Sequence, residues 1–186
     1  MQHLLQMDLQ LFHQINQVWV HPHLDLFLSF MRNSYVWFPL YVFLISFLVF
    51  NFGKQGLFYL IFAISMVIFS NLLSSELIKK SVKRTRPCNE VTLEGKRRTI
   101  VHCGGGYSFT SSHATNHFCV SVFLFLTGIN FIGRWRYAFL VWAAVICYAQ
   151  VYVGVHYPLD VICGSALGTI TAILGSMVFK RLRAFV

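Results

Sequence analysis

Hydrophobic residues along this chain fall into five long runs, near 34–53, 55–75, 114–133, 137–157 and 159–179. They carry no Asp, Glu, Lys or Arg apart from Asp160 at the start of the last. At about 1.5 Å per residue, each run is long enough to cross roughly 30 Å of hydrocarbon as an α-helix. Ahead of them, residues 4–31 mix apolar positions (Leu4, Leu5, Leu9, Phe12, Ile15, Val18, Leu26, Phe27 and Phe30) with Asp8, His13, Gln14 and Asp25. A His-Pro-His sequence at 21–23 interrupts this segment. Such a mixture suits the membrane interface better than the membrane interior. The pattern predicts an all-α, polytopic membrane helix bundle in a single domain spanning 1–186. An N-terminal interfacial amphipathic helix lies in 1–33, five transmembrane helices lie in 34–186, and a polar loop covers 76–113.

Composition points the same way. With 56% hydrophobic and 11% charged residues, a chain of 186 residues has too little polar surface to cover a soluble core. The opening MQHLLQMDLQ has no cationic region followed by a short apolar core, so no removable signal peptide is expected. Cysteine spacing offers no Cys-x-x-Cys metal pair. Cys88 and Cys103 share the polar loop and are open to either a disulfide or two free thiols.

Charge changes the picture. The net charge is +9, and eight of the fifteen Lys and Arg residues crowd into one stretch: Lys79, Lys80, Lys83, Arg84, Arg86, Lys96, Arg97 and Arg98. Only Glu90 and Glu94 oppose them there, leaving a focused field suited to an anion. Helix alternation puts Lys54, Arg134, Arg136 and the C-terminal Lys180, Arg181 and Arg183 on one side, which the positive-inside rule makes cytoplasmic. The 79–98 stretch then lies outside against that rule, and binding of phosphate accounts for the exception.

Three polar clusters share this outer face. In ELIKKSVKRTRPCNE, a helix continued past Ile78 would align Lys79, Lys83 and Arg86 as one stripe before Pro87 ends it. A juxtamembrane basic run attracting headgroups is the bland alternative. In GGGYSFTSSHATN, glycines lead into Ser111, Ser112 and His113 at a helix start, where backbone N–H groups and hydroxyls favour an anion. Either serine alone reads equally as a helix cap. His113 is placed to protonate a leaving oxygen. His102 and His117 flank the cluster, and His117 reads as a packing or interfacial residue. In VGVHYPLDV, a turn can bring Asp160 to one ring nitrogen of His156 and free the other as nucleophile, although an Asp taken alone there reads first as a first-turn acid favoured by the helix dipole. In the last run Gly164, Gly168, Ala172 and Ser176 form a small-residue face for close helix packing.

Taken in order, these clusters resemble the motifs of the type 2 phosphatidic acid phosphatase superfamily over about residues 76–165. Lys79, Arg86 and Pro87 match its Lys, six residues, Arg-Pro motif. Thr110, Ser111, Ser112 and His113 stand where the family has Pro-Ser-Gly-His, so the Ser and His match and the flanking residues do not. His156 and Asp160 match the end of the third motif, whereas Ala149 and Gln150 replace its Ser-Arg. The resemblance implies a metal-free, cofactor-free phosphoryl transfer. His156 attacks phosphorus with support from Asp160, and His113 protonates the departing lipid oxygen. Lys79, Arg86, Ser111, Ser112 and Gln150 would contact the phosphate. Gln150 brings no charge, and Lys83 is expected to replace the missing cation because it shares the predicted stripe.

The expected substrate is a lipid phosphate monoester or diphosphate entering sideways from the outer leaflet, with membrane lipids and not nucleic acid as the surroundings. Phosphatidate, phosphatidylglycerol phosphate, prenyl diphosphate and a phosphorylated glycolipid all fit, and the oligomeric state stays open. Two alternatives stand beside hydrolysis: a phosphotransferase of the same fold, and a non-enzymatic binder of anionic lipid. Economical loops without Asn-x-Ser/Thr acceptors suit a bacterial inner membrane, with the site facing the periplasm or exterior and the C-terminus in the cytoplasm.

Overall fold

The computed structural model describes residues 2–128 and 132–183, and these contain helices and loops but no strand. Helix α1 covers Gln2–His13 and runs into a π-helical turn, Gln14–Val18. Helix α2 covers Pro22–Met31, with Pro22 at its first position and His21 as cap. Helix α3 spans Phe38–Leu72 and continues through a π turn, Leu73–Ile78, into the short α4, Lys79–Val82. After the polar loop come α5 (Ser112–Thr127), α6 (Arg136–Tyr152) and α7 (Pro158–Arg183).

Helix α3 is two arms. Gly53 adopts φ 52° and ψ −127°, a conformation that glycine reaches without a Cβ penalty. The chain reverses there: Gly56 packs on the backbone of Leu48, and the rings of Phe47 and Phe52 meet at 5.9 Å. The two arms correspond to the first two predicted runs. Ser34–Val82 and Pro158–Leu182 are long and apolar enough to cross a membrane. Their outer faces leave Phe43, Phe50, Ile61, Phe69, Ile170 and Leu174 exposed, a continuous apolar surface that water would not tolerate. The third predicted run, 114–133, is helical to Thr127, and its residues 129–131 lie outside the described residues.

Helix α5 is central, packing along α7 and α6. A Cβ at Gly164 would lie 2.7 Å from the carbonyl oxygen of Ser111, and one at Gly168 would strike the backbone of Thr115. The small-residue face is therefore used within the monomer. One core cluster, with Tyr59, Phe123 and Phe179 at its centre, holds α3, α5 and α7 together near their Lys54 and Arg136 end. The other gathers Phe12, Ile15 and Leu28 against residues 151–157 at the polar-loop end.

That second cluster corrects the reading of the N-terminal segment. It is two helices rather than one, and polar and apolar side chains alike pack against protein. Leu4, Met7, Leu26 and Phe27 are exposed, while Asp8, Phe12, Ile15, Asn16 and Leu28 are buried. The Asn16 amide donates to the carbonyls of Arg98 (2.7 Å) and Tyr152 (2.8 Å), and its oxygen accepts from Arg98 N (2.8 Å). Arg98 grips Asp25 with two nitrogens at 2.6 and 2.8 Å, and the Tyr152 hydroxyl donates to the same carboxylate at 2.6 Å. In the polar loop, Cys88 and Cys103 form a disulfide with Cα atoms 5.9 Å apart.

Candidate active site

His156 sits in the turn between α6 and α7 and is 2% exposed. Its two ring nitrogens have different neighbours. Nδ1 lies 3.3 Å from the Ser108 hydroxyl and 3.5 Å from Asp160 Oδ2. Nε2 lies 3.4 Å from Nη1 of Arg86. With its hydrogen on Nδ1, the ring turns its free lone pair at Nε2 toward a guanidinium, the place where a phosphoryl group would be attacked. Burial, opposed by Asp160 and reinforced by the charge of Arg86, pulls the imidazole down to about 4, so it is neutral near pH 7.

Asp160 is fully buried in the first turn of α7, and its carboxylate is saturated with donors. Ser108 Oγ donates a short hydrogen bond to it, Tyr157 N donates at 2.9 Å and Arg84 Nη1 at 2.8 Å. Since the Ser108 hydroxyl gives its hydrogen to Asp160, its oxygen is the acceptor left for Nδ1. Asp160 thus orients His156 partly through Ser108, a residue that the sequence reading passed over inside a glycine-rich stretch.

Arg84 is also new. Its Nη2 reaches Asp8 of α1 at 2.6 Å, and its guanidinium lies 3.9 Å from the centre of the Tyr157 ring. Asp8 Oδ1 in turn accepts from Leu159 N at 2.8 Å. Burial lowers the Arg84 guanidinium, but the charges of Asp160 and Asp8 outweigh it and raise it above the usual arginine range. Arg84 is thereby committed to two carboxylates. No signal in the sequence singled out Asp8 from the other polar residues of its segment.

The cations of the first motif are held by the glycine loop. Lys79 Nζ donates to the Tyr107 carbonyl at 3.1 Å, and Arg86 Nε to the Gly106 carbonyl at 3.3 Å. Gly106 permits this with φ 76°. Ser108 N donates to the Arg84 carbonyl at 2.7 Å, closing loop on loop. The continuous stripe predicted for Lys79, Lys83 and Arg86 does not form. Helix α4 ends at Val82, Lys83 turns left-handed with φ 52°, and its side chain is exposed. Arg86 reaches the site from extended chain before Pro87.

Ser111 and Ser112 lie beside the site but are engaged elsewhere. Ser111 is the N-cap of α5, accepting from Ala114 N at 3.4 Å, and its own N–H donates to the Asp160 carbonyl at 3.0 Å. That last bond ties the start of α5 to the start of α7 and brings His113 to the same end of the bundle as His156. The Ser112 hydroxyl pairs with Ser74 at 3.1 Å. His117 Nδ1 donates to the His113 carbonyl (2.8 Å), and the ring stacks on that of His113 and meets Trp142 edge-on, which is a packing role. Gln150 is fully buried, and neither polar atom of its side chain has a hydrogen-bond partner. Its carbonyl accepts from Val155 N and His156 N at 3.2 Å each, so it shapes the His156 turn through its backbone.

Known proteins resemble this chain in sequence and in fold. The family model described as the PAP2 superfamily matches residues 56–184. A lipid A 4'-phosphatase of Porphyromonas gingivalis is 32% identical over 187 residues, covering 97% of this chain and 75% of that protein. A lipid A 4'-phosphatase of Bacteroides thetaiotaomicron is 32% identical over 151 residues, covering 79% of this chain and 66% of the relative, just short of two thirds of its length. The crystal structure of LpxE from Aquifex aeolicus superimposes with a TM-score of 0.68 at 27% identity, covering 91% of this chain and 94% of the other.

Proposed function

The chain belongs to the PAP2 superfamily, and from that premise we propose that it is a membrane lipid phosphatase that removes phosphate from a phosphorylated glycolipid through a phosphohistidine on His156. The observation that carries the mechanism is the orientation of His156: Nδ1 faces the Ser108 and Asp160 oxygens, and Nε2 faces Arg86. Nε2 attacks phosphorus while the bond to the lipid oxygen breaks, and His113 delivers a proton to that oxygen. A phosphate dianion beside it favours the imidazolium that this requires. The positive charge left on the phosphohistidine ring is balanced by Asp160. Water, deprotonated by His113, then attacks the same phosphorus, and the P–N bond breaks to release inorganic phosphate. Lys79 and Arg86 hold the equatorial oxygens, where electrostatic stabilisation contributes most. The route uses no metal or other cofactor.

Five membrane spans are the topology we favour: the two arms of α3, then α5, α6 and α7. The loop disulfide supports placing the site on the oxidising, external side of a bacterial inner membrane, with the C-terminus in the cytoplasm. The choice of a glycolipid rests on the two lipid A 4'-phosphatases, one of which aligns with 97% of this chain.

The test uses the purified protein in detergent or nanodiscs with lipid A, phosphatidylglycerol phosphate, phosphatidate and a prenyl diphosphate, scored for inorganic phosphate. Release from lipid A that disappears in His156→Ala, with an acid-labile phosphoenzyme trapped from labelled substrate, is the expected result. Equal release by wild type and His156→Ala would remove the catalytic assignment. Transfer of label to a second lipid without phosphate release would make the protein a transferase.

A further inference from the structure

The exchange of arginine for glutamine at position 150 leaves the phosphate cradle one cation short of the family pattern, and the candidate expected from the sequence, Lys83, is exposed on a left-handed turn. Arg84 is not free to replace it, being committed to Asp8 and Asp160. One further arginine remains near the site. Arg32 caps the C-terminal end of α2, its N–H donating to the Leu28 carbonyl at 3.1 Å. Its side chain is half-buried, its Nε is shut off from solvent without a hydrogen-bond partner, and it forms no ion pair among the described residues.

Its surroundings are cationic. Burial draws the Arg32 guanidinium below the usual arginine range, and the charge of Arg86 adds to that effect. The charges of Arg32, Lys79 and His156 all bear on His113. The segment carrying Arg32 is tied to the His113 end of α5: Trp37 Nε1 donates to the Met31 carbonyl at 2.7 Å, its ring meets Trp142 edge-on, and Trp142 meets His117, which stacks on His113; no carboxylate pairs with Arg32 among the described residues. Half-burying a cation against like charge is unfavourable unless an anion enters among them. Its chain neighbours Met31 and Ser34 line an apolar cavity of about 1070 Å³ that also reaches Asn116 and His117 beside His113. A lipid whose tail occupies that cavity would carry its phosphate past Arg32.

We propose that Arg32, reaching in from the end of α2, supplies the phosphate contact that position 150 lacks, its planar fork gripping a non-bridging oxygen of the lipid phosphate alongside Arg86 and Lys79. The N-terminal segment then contributes directly to substrate binding. This inference rests on the phosphatase reading, so its test includes a measurement that needs no turnover. Orthovanadate, which mimics the phosphoryl group, is the probe, and its Kd is taken from the shift it causes in the thermal unfolding of the detergent-solubilised full chain.

Arg32→Gln and Arg32→Met, the latter keeping an apolar stem to fill the space, should each raise the orthovanadate Kd and the lipid KM together by about 10- to 100-fold, the loss expected for one hydrogen bond to a charged group. Gln150→Arg placed on the Arg32→Gln background should recover part of that affinity. A merely structural Arg32 would lower the unfolding temperature and the active fraction without moving the Kd. An orthovanadate Kd within about twofold of wild type in either folded variant overturns the proposal even if phosphate release is intact. Orthovanadate binding that depends on Arg32 in a protein releasing no phosphate from any lipid would sustain the cradle and defeat the phosphatase reading instead.

Discussion

Asp8→Asn is the sharpest perturbation of the link between the N-terminal helix and the reaction centre. The Asp8 carboxylate is 3% exposed and accepts from Arg84 Nη2 at 2.6 Å and Leu159 N at 2.8 Å. Asparagine retains one acceptor oxygen for Leu159 but turns an N–H toward the Arg84 guanidinium. One charge-assisted bond is lost, at about 1.5–3 kcal/mol. Arg84 keeps Asp160 and is 20% exposed, so the larger penalty of a wholly unpaired buried charge does not apply. At roughly 2–4 °C per kcal/mol for a chain of this size, the unfolding temperature should fall by about 3–12 °C. Because Arg84 also anchors Asp160, turnover should drop by about tenfold, with a smaller change in lipid KM. The assays are thermal unfolding in detergent and phosphate release below the new transition. A variant with the unfolding temperature and turnover of wild type would refute the coupling of α1 to the His156 turn.

Three further outcomes follow from the same geometry. His156, held down at about 4, should remain a neutral nucleophile as pH falls through 6.5, the ordinary imidazole value. The acid limb of kcat/KM assigned to it should lie below pH 5 once the ionisation of the substrate is divided out, and a limb near 6.5 would contradict the burial argument. The linked stability runs the same way: the unfolded imidazole takes up a proton below about 6.5 and the folded one does not, so this contribution declines between pH 6.5 and 4. Gly168→Val should separate α7 from the Thr115 backbone and destabilise the bundle by several kcal/mol, about 3 or more, read as lost detergent-resistant fold; a stable, active variant would show the helices are not in contact. Reducing the Cys88–Cys103 bond, which closes a loop with a separation of 15 residues, should cost about 3 kcal/mol, seen as a lower unfolding temperature in dithiothreitol but not in Cys88→Ala/Cys103→Ala.

The helical runs were legible because charge is rare in them, and a charge-free run of twenty residues has few other uses. His156, Asp160 and Arg86 were expected together from their types and spacings, and the structure brings Asp160 and Arg86 each within hydrogen-bond or ion-pair range of His156. The stripe through Lys83 failed because helical periodicity was carried past Val82, where the chain leaves the α region; an i, i+4 argument holds only while the helix does. Ser111 caps α5, the reading that its place before the helix favoured for a serine taken alone. Asp8 and Asn16 were hidden for a different reason. In a segment with apolar residues on most faces, a polar side chain reads as headgroup-facing, yet here Asp8 and Asn16 are buried beside Phe12 and Ile15 and meet Arg84, Arg98 and Tyr152. Burial by tertiary partners 76–151 positions away leaves no local trace.

The Asp8–Leu159 bond also has a temporal meaning. It joins positions 151 residues apart, so α1 finds this partner only after the intervening helices have been synthesised and inserted. Until α7 is in place, Arg84 lacks Asp160, Asp8 lacks the Leu159 N–H, and the His156 turn has no frame. A chain that does not yet carry α7 would therefore lack the proposed reaction centre, which comes together only when that helix docks.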